Sequence, residues 1–157
     1  MEQLSPWKLK AIAQHSLRLC RSFHYWTGKS LIEVCGPLAE QAQALFAAPF
    51  VVVSHGTEPD PILNYGNRQA LELWEMDWDH FTATPSRCTA EPVEQSDRER
   101  LLAQAKSQGF ISNYQGVRIS SSGRRFSIQN VIIWDVLDEE ERCCGQAATF
   151  HEWQFLS

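Results

Sequence analysis

The sequence predicts an α+β fold: one five-stranded antiparallel sheet with helices covering one face, preceded by N-terminal helices. Three observations predict it. Two long alternating runs, Phe110–Ser120 and Arg124–Leu137, flank the turn Ser121-Ser122-Gly123, and a third, Cys144–Phe155, follows Asp138-Glu139-Glu140-Glu141-Arg142. Runs of alternating side chains joined by such turns form an antiparallel meander. Phe50–Ser54 is continuously apolar and rich in β-branched residues, as expected of a strand buried on both faces and central in its sheet. The helical segments precede that strand or fall between the second and third strands, which is an α+β grouping.

A chain of 157 residues with 43% hydrophobic residues is the size and composition of one globular domain. Its net charge is −5, and no basic run exceeds the pair Arg124-Arg125. A phosphate-tracking surface, and so nucleic-acid binding, is not expected. No apolar run approaches the ~20 residues of a membrane helix, and Met1-Glu2-Gln3-Leu4-Ser5 lacks the basic start and apolar stretch of a signal peptide. A cytoplasmic protein with no membrane partner is expected. The five cysteines, Cys20, Cys35, Cys88, Cys143 and Cys144, show no C-x-x-C and no zinc spacing, so reduced, mostly buried thiols are expected.

Ser5-Pro6 suits the start of a first helix. Leu9, Ile12, Ala13, Ser16, Leu17, Cys20 and Phe23 follow one helical face, and Gly28 lies just past the end. A shorter helix spans Pro37 to Ala47 and is halted by Pro49. After the strand Phe50–Ser54, the turn Gly56–Pro61 leads to a short strand, Ile62–Tyr65. Asn67 caps a helix over Arg68–Met76, and a further helical turn begins after Asp77. Ser96-x-x-Glu99 is a capping box that opens a helix over Asp97–Gln108, closed by Gly109. Residues 1–48 are expected to be a helical segment that packs on, or dimerises, a core of residues 49–157.

Alternation on Arg124–Leu137 puts Phe126, Ile128, Asn130, Ile132, Trp134 and Val136 on one face. That is the expected core face, with Asn130 its polar exception. A buried amide needs partners, from a loop backbone or from a ligand. On Cys144–Phe155, Gly145–Ala148 is small and leaves room for a ligand or for a bulky helix residue. Gln146 and Asn130 are candidates to present amides to a planar ligand, beside Trp134 and Ala148. Trp74, Trp134 and Trp153 fall at core-facing or sheet positions. The five histidines show no metal-ligand spacing, and there is no nucleophile context or carboxylate dyad. An enzyme is therefore not expected. The alternative is a small α+β-cone enzyme or ligand carrier using His55 or His151 in an apolar cavity.

Several stretches carry a resemblance. They are Pro85-Ser86-Arg87-Cys88-Thr89-Ala90-Glu91-Pro92; Gly109-Phe110-Ile111 with Tyr114 and Gly116-Val117-Arg118-Ile119-Ser120; Gly123-Arg124-Arg125-Phe126; and Gly145-Gln146-Ala147-Ala148-Thr149-Phe150. They resemble the MEKHLA domain, a PAS-related family, from about Ile12 to the C-terminus. Asn64-Tyr65-Gly66-Asn67 followed by Ala70, Leu71 and Trp74 looks like the PAS segment between the second strand and the next helix. The resemblance implies a PAS-like sheet and a sensory or regulatory binding module for light, oxygen or redox signals, acting through a small ligand or protein contacts. The family occurs as a stand-alone bacterial protein and at the C-terminus of plant homeodomain–leucine zipper regulators. Pairing through the sheet face or the N-terminal helix, with a second copy or another protein, is also implied. Light-sensing PAS domains that bind flavin carry a reactive cysteine in Asn-Cys-Arg-Phe-Leu-Gln. Cys88 stands instead in Ser86-Arg87-Cys88-Thr89-Ala90-Glu91, so it is expected to be a packing thiol, and no particular cofactor is implied.

Overall fold

A computed structural model of the chain describes residues 6–33, 36–90, 99–100, 103 and 109–156. A 3-10 turn at Pro6–Lys8 leads into helices α1 (Lys10–Thr27) and α2 (Leu38–Phe46). Strands β1 (Val51–His55) and β2 (Leu63–Gly66) follow, then α3 (Arg68–Trp74), α4 (Trp78–Phe81) and a 3-10 turn at Ser86–Thr89. The chain ends in β3 (Phe110–Ile119), β4 (Arg125–Leu137), β5 (Cys143–Phe150) and β6 (Glu152–Phe155). The helix expected over Asp97–Gln108 lies almost wholly outside the described residues.

All strand pairs are antiparallel, in the order β2-β1-β5-β4-β3, with β6 beside β4. β1 is interior, as its unbroken apolar run requires. The strand expected over Cys144–Phe155 is two strands, broken at His151; β5 and β6 pair with successive stretches of β4.

The expected face of β4 is corrected by its backbone. Asn130 adopts φ 55, and the pairing with β3 slips there, Gln129 and Asn130 on β4 facing Gln115 alone on β3. This is a β-bulge, which inserts one residue and reverses the side-chain parity beyond it. Phe126, Ile128, Val131 and Ile133 therefore share one face, while Trp134 and Val136 point to the other. Asn130 itself is exposed, and its amide donates to the Glu152 carboxylate. It is not a buried residue of a core face.

Both faces of the sheet are consequently apolar and covered. On the front, α3 and α4 supply Leu73, Trp74 and Phe81 against Val51, Phe126, Ile133 and Phe150. On the reverse, α1 and α2 supply Leu19, Phe23 and Leu45 against Val52, Tyr65, Trp134 and Ala147. The buried stripe of α1 runs through Ala13, Ser16, Leu19, Ser22 and Phe23. Leu9, expected on that stripe, is 54% exposed, because it is the extended N-cap residue and lies before the helix proper. The helix ends as expected at Gly28, whose left-handed backbone (φ 72) lets its N–H donate to the His24 carbonyl.

Asn67 joins these layers. It has no exposed surface. Its Oδ1 accepts from Val52 N at 3.1 Å and from Ala70 N at 3.2 Å, and its Nδ2 donates to Leu45 O at 3.2 Å and Phe50 O at 2.7 Å. Every hydrogen-bonding position of the amide is filled.

Asn67→Ala should lower the free energy of unfolding by about 3 kcal/mol or more, since it removes a cap worth ~1 kcal/mol and strands buried backbone groups at ~1–3 kcal/mol each. Urea denaturation measures this; a loss under about 1 kcal/mol would show that water replaces the amide. Asn130→Val should cost about 1–2 kcal/mol more than Asn130→Gly, because a β-branched residue resists positive φ. Equal stability of the two variants would mean the bulge is not held at this position.

Candidate functional site

The front of the sheet does not close completely. A cleft between the sheet and the α3–α4 side contains about 530 Å3 of space free of atoms, its mouth included. The part of that space a water-sized molecule can occupy is about 70 Å3, below the ~300–1,000 Å3 of drug-sized sites, so a guest is small or extends through the mouth. Its walls are mainly apolar: Val53, Leu63, Trp74, Phe81, Ile133 and Phe150. The polar exceptions are Ser54, His55, Gln146 and Arg118 from the sheet, with Ser86 and Thr89 from the turn.

Strand register explains why His55 and Gln146 appear together. His55 pairs with Gln146, and Gln146 pairs with Asp135, so three polar side chains form a row across β1, β5 and β4. Gln146 Nε2 donates to Asp135 Oδ1 at 3.2 Å. Ala148, one step along β5, is small and leaves the floor of the cleft open. Arg118 enters from β3, on the far side of β4. It is 7% exposed. Its Nη1 donates to Val117 O at 2.8 Å and its Nη2 to Tyr114 Oη at 3.2 Å. Gly116 makes this fold-over possible: a Cβ there would lie 2.7 Å from Tyr114 Oη and 3.0 Å from Arg118 Nη1.

Gln146 and Ala148 thus line the cleft. Trp134 does not: it is fully buried on the reverse face, edge-on to Phe23 with ring centroids 5.0 Å apart. Asn130 lies outside, as described above. Cys88 is exposed on the outer side of the turn whose Ser86 and Thr89 line the cleft, so the expected packing thiol is a surface thiol. Cys143 is exposed too, against the expectation of mostly buried cysteines. Burial pushes the Cys20 thiol up to about 11 and raises that of Cys144, which disfavours the thiolate at both. Of the two histidines proposed for an apolar cavity, only His55 reaches one. His151 is exposed at the strand break, tilted against Phe50 at 4.5 Å between centroids. Arg118 was missed as a candidate. Alternation on Phe110–Ser120 could have placed it, but the run is interrupted by Asn113 at φ 59, which shifts the register.

The reverse face is fastened by polar contacts from α1. His15 Nε2 lies 2.9 Å from Ser54 Oγ, which donates to Asn64 Oδ1 at 2.5 Å. The Ser22 hydroxyl accepts from Leu137 N at 2.7 Å, and Trp26 Nε1 donates to Asp135 O at 2.9 Å. Arg18 makes a forked ion pair with Glu139, at 2.8 Å for the closest contact. That pair holds the Glu139 carboxyl well below the usual range, down to about 2. His15 is held down to about 4, first by burial and then by the nearby Arg18 charge. Burial also pushes the Tyr65 phenol far above its ordinary range.

The fold and its front cleft define a class: the α+β sheet of PAS domains. A solved PAS domain from Colwellia psychrerythraea superposes with a TM-score of 0.64 at 12% identity, covering 76% of this chain and 96% of that one. The blue-light photoreceptor Aureochrome1 LOV domain superposes with a TM-score of 0.55 at 17% identity, covering 82% and 89%. At those identities the likeness is one of fold. The MEKHLA domain family matches residues 13–155, and the chain belongs to that family. Homeobox-leucine zipper protein HOX10 of Oryza sativa subsp. indica is 23% identical over 142 residues, which is 88% of this chain and 17% of that protein. ATHB-9 of Arabidopsis thaliana is 25% identical over 103 residues, 64% of this chain and 12% of that protein. The chain spans less than a fifth of the length of these curated relatives. Among the described residues no helix is long and apolar enough to cross a membrane, and no group of three or more His, Cys, Asp or Glu gathers for a metal ion.

His15 makes the seating of α1 sensitive to acid. Its folded-state value of about 4 lies below its ordinary 6.5, so the unfolded chain takes up the proton first. The stability due to neutral His15 is complete above about pH 6.5 and is lost as pH falls toward about 4, by up to about 3 kcal/mol. In urea denaturation at several pH values, wild-type stability should fall relative to His15→Gln across that window. Parallel curves for the two proteins would remove the effect.

Proposed function

We propose that this chain is a sensory or regulatory binding module. A small molecule held in the front cleft changes how α1 seats on the reverse face, and a partner reads that change. The observation that carries this is the sharing of β1 and β5 between the two faces. Val53 and His55 line the cleft, and Ser54, between them, borders it too while its hydroxyl contacts His15 of α1; Ala147 likewise borders the cleft. Gln146 and Ala148 flank Ala147, which packs in the α1 cluster. Strands that carry alternate residues to both faces cannot move on one without moving on the other.

Release of α1 would uncover Val52, Trp134, Val136 and Ala147, an apolar surface suited to another helix, from a second copy or from another protein. Light, oxygen and redox state are the signal classes that family membership suggests. Among the described residues no cysteine lines the cleft, so the proposed binding needs no thiol bond to the guest.

The test is native mass spectrometry of protein purified from its own host, with amide exchange of α1 before and after the guest is removed. A co-purifying small molecule, and faster exchange over residues 13–23 once it is gone, is expected. Ala148→Phe, which fills the floor of the cleft, should exclude the guest and alter α1 exchange. Guest-free protein whose α1 is insensitive to that substitution would overturn the proposal.

A further inference from the structure

Arg118 is a charged side chain in an apolar wall. Removing a guanidinium from water costs free energy unless an anion compensates it. Among the described residues no carboxylate pairs with Arg118; its partners are a backbone carbonyl and a phenol oxygen. The Tyr114 ring, 5.6 Å from the guanidinium carbon, adds a cation–π contact but no counter-charge. A guanidinium has five N–H donors. Two are used, which leaves three for something else in the cleft.

A second donor in the same wall is also unanswered. Trp74 is 3% exposed, lines the cleft, and its indole N–H has no acceptor among the described residues. Arginine and tryptophan nitrogens can only donate, so both lack the same thing, an acceptor. The remaining walls are mostly apolar, and among the described residues Arg118 is the only lysine or arginine that lines the cleft.

We infer that the cleft takes a small monoanion, a carboxylate on an apolar aliphatic or aromatic body, with Arg118 as the anion-recognising residue. A carboxylate presents two coplanar acceptors to a guanidinium fork. A phosphate ester, with up to two charges, would call for a second cation, and none lines the cleft among the described residues. The apolar body would lie along Val53, Ile133 and Phe150, over the small Ala148. The inference rests on the cleft being a ligand site, and it adds the class of ligand.

The test uses octanoate and 3-phenylpropionate, each against its neutral primary amide, by calorimetry and thermal shift on the full chain. At least one acid should bind about tenfold or more tighter than its amide. Arg118→Met should abolish that preference. The variant should stay folded without ligand, with a melting temperature equal to or above that of wild type, since it removes an uncompensated charge. Arg118→Lys, which keeps the charge without the fork, should recover only part of the preference, and Ala148→Phe should abolish binding altogether. If acid and amide bind equally and Ala148→Phe blocks both, the cleft is a ligand site without anion selection; this inference falls and the binding module stands. An acid preference that survives Arg118→Met, or binding that survives Ala148→Phe, overturns the assignment of the site. Failure of all four compounds to bind overturns the inference and weighs against the cleft as a ligand site.

Discussion

The side-chain amide of Asn67 is the contact on which the layered arrangement depends. With no exposed surface, it bonds the end of α2 through Leu45, the approach to β1 through Phe50, β1 itself through Val52, and the first turn of α3 through Ala70. Those elements belong to different layers: α2 lies on the reverse of the sheet and α3 on the front. One residue therefore sets the height of both helices relative to the central strand. An amide suits this post because it offers two acceptor and two donor positions without a charge to desolvate. The backbone of Asn67 adds to the junction, its N–H donating to Val52 O at 3.1 Å and its carbonyl accepting from Leu71 N at 3.0 Å.

With that junction in place, the bulge at Asn130 decides what each face of the sheet is made of. Without it, Phe126 and Trp134 would face the same way. With it, Phe126 joins Trp74 on the front, at 5.2 Å between centroids, and Trp134 joins Phe23 on the reverse. The break at His151 accompanies the bulge on the neighbouring strand, and it brings Trp153 to the front beside Phe150 at 6.0 Å. The protein thereby builds two aromatic cores on one sheet, each with its own helical cover.

The two covers differ in character. The reverse cover is riveted at spaced points by His15, Ser22, Trp26 and Arg18, which tie α1 to β1, β4 and the turn after β4. The front cover leaves a cleft whose apolar wall contains uncompensated donors. A fully apolar lining would stabilise the folded chain more. Keeping a guanidinium there has a stability cost, which an anion of the kind inferred above would compensate. The sheet is the shared wall between the site and the helix that would report on it.

The sequence by itself determined the α+β class, the strand-rich C-terminal meander, the interior place of β1, the cap at Asn67 and the family. All of these rest on local patterns: periodicity, turn residues, capping chemistry and contiguous motifs. Gln146 and Ala148 were legible as cleft-lining positions because their strand is short of large side chains. Asn130, Trp134, Cys88 and the pair His55 and His151 were only partly legible or misplaced. Tertiary structure alone decided them, for one physical reason: alternation predicts a face only while the strand stays in register. A single positive-φ residue at Asn130 or Asn113, or a break at His151, exchanges inside and outside for everything beyond it. Arg118 shows the same limit. Nothing local marks it as a buried cation without an anion; that follows only from which side chains the folded sheet brings around it.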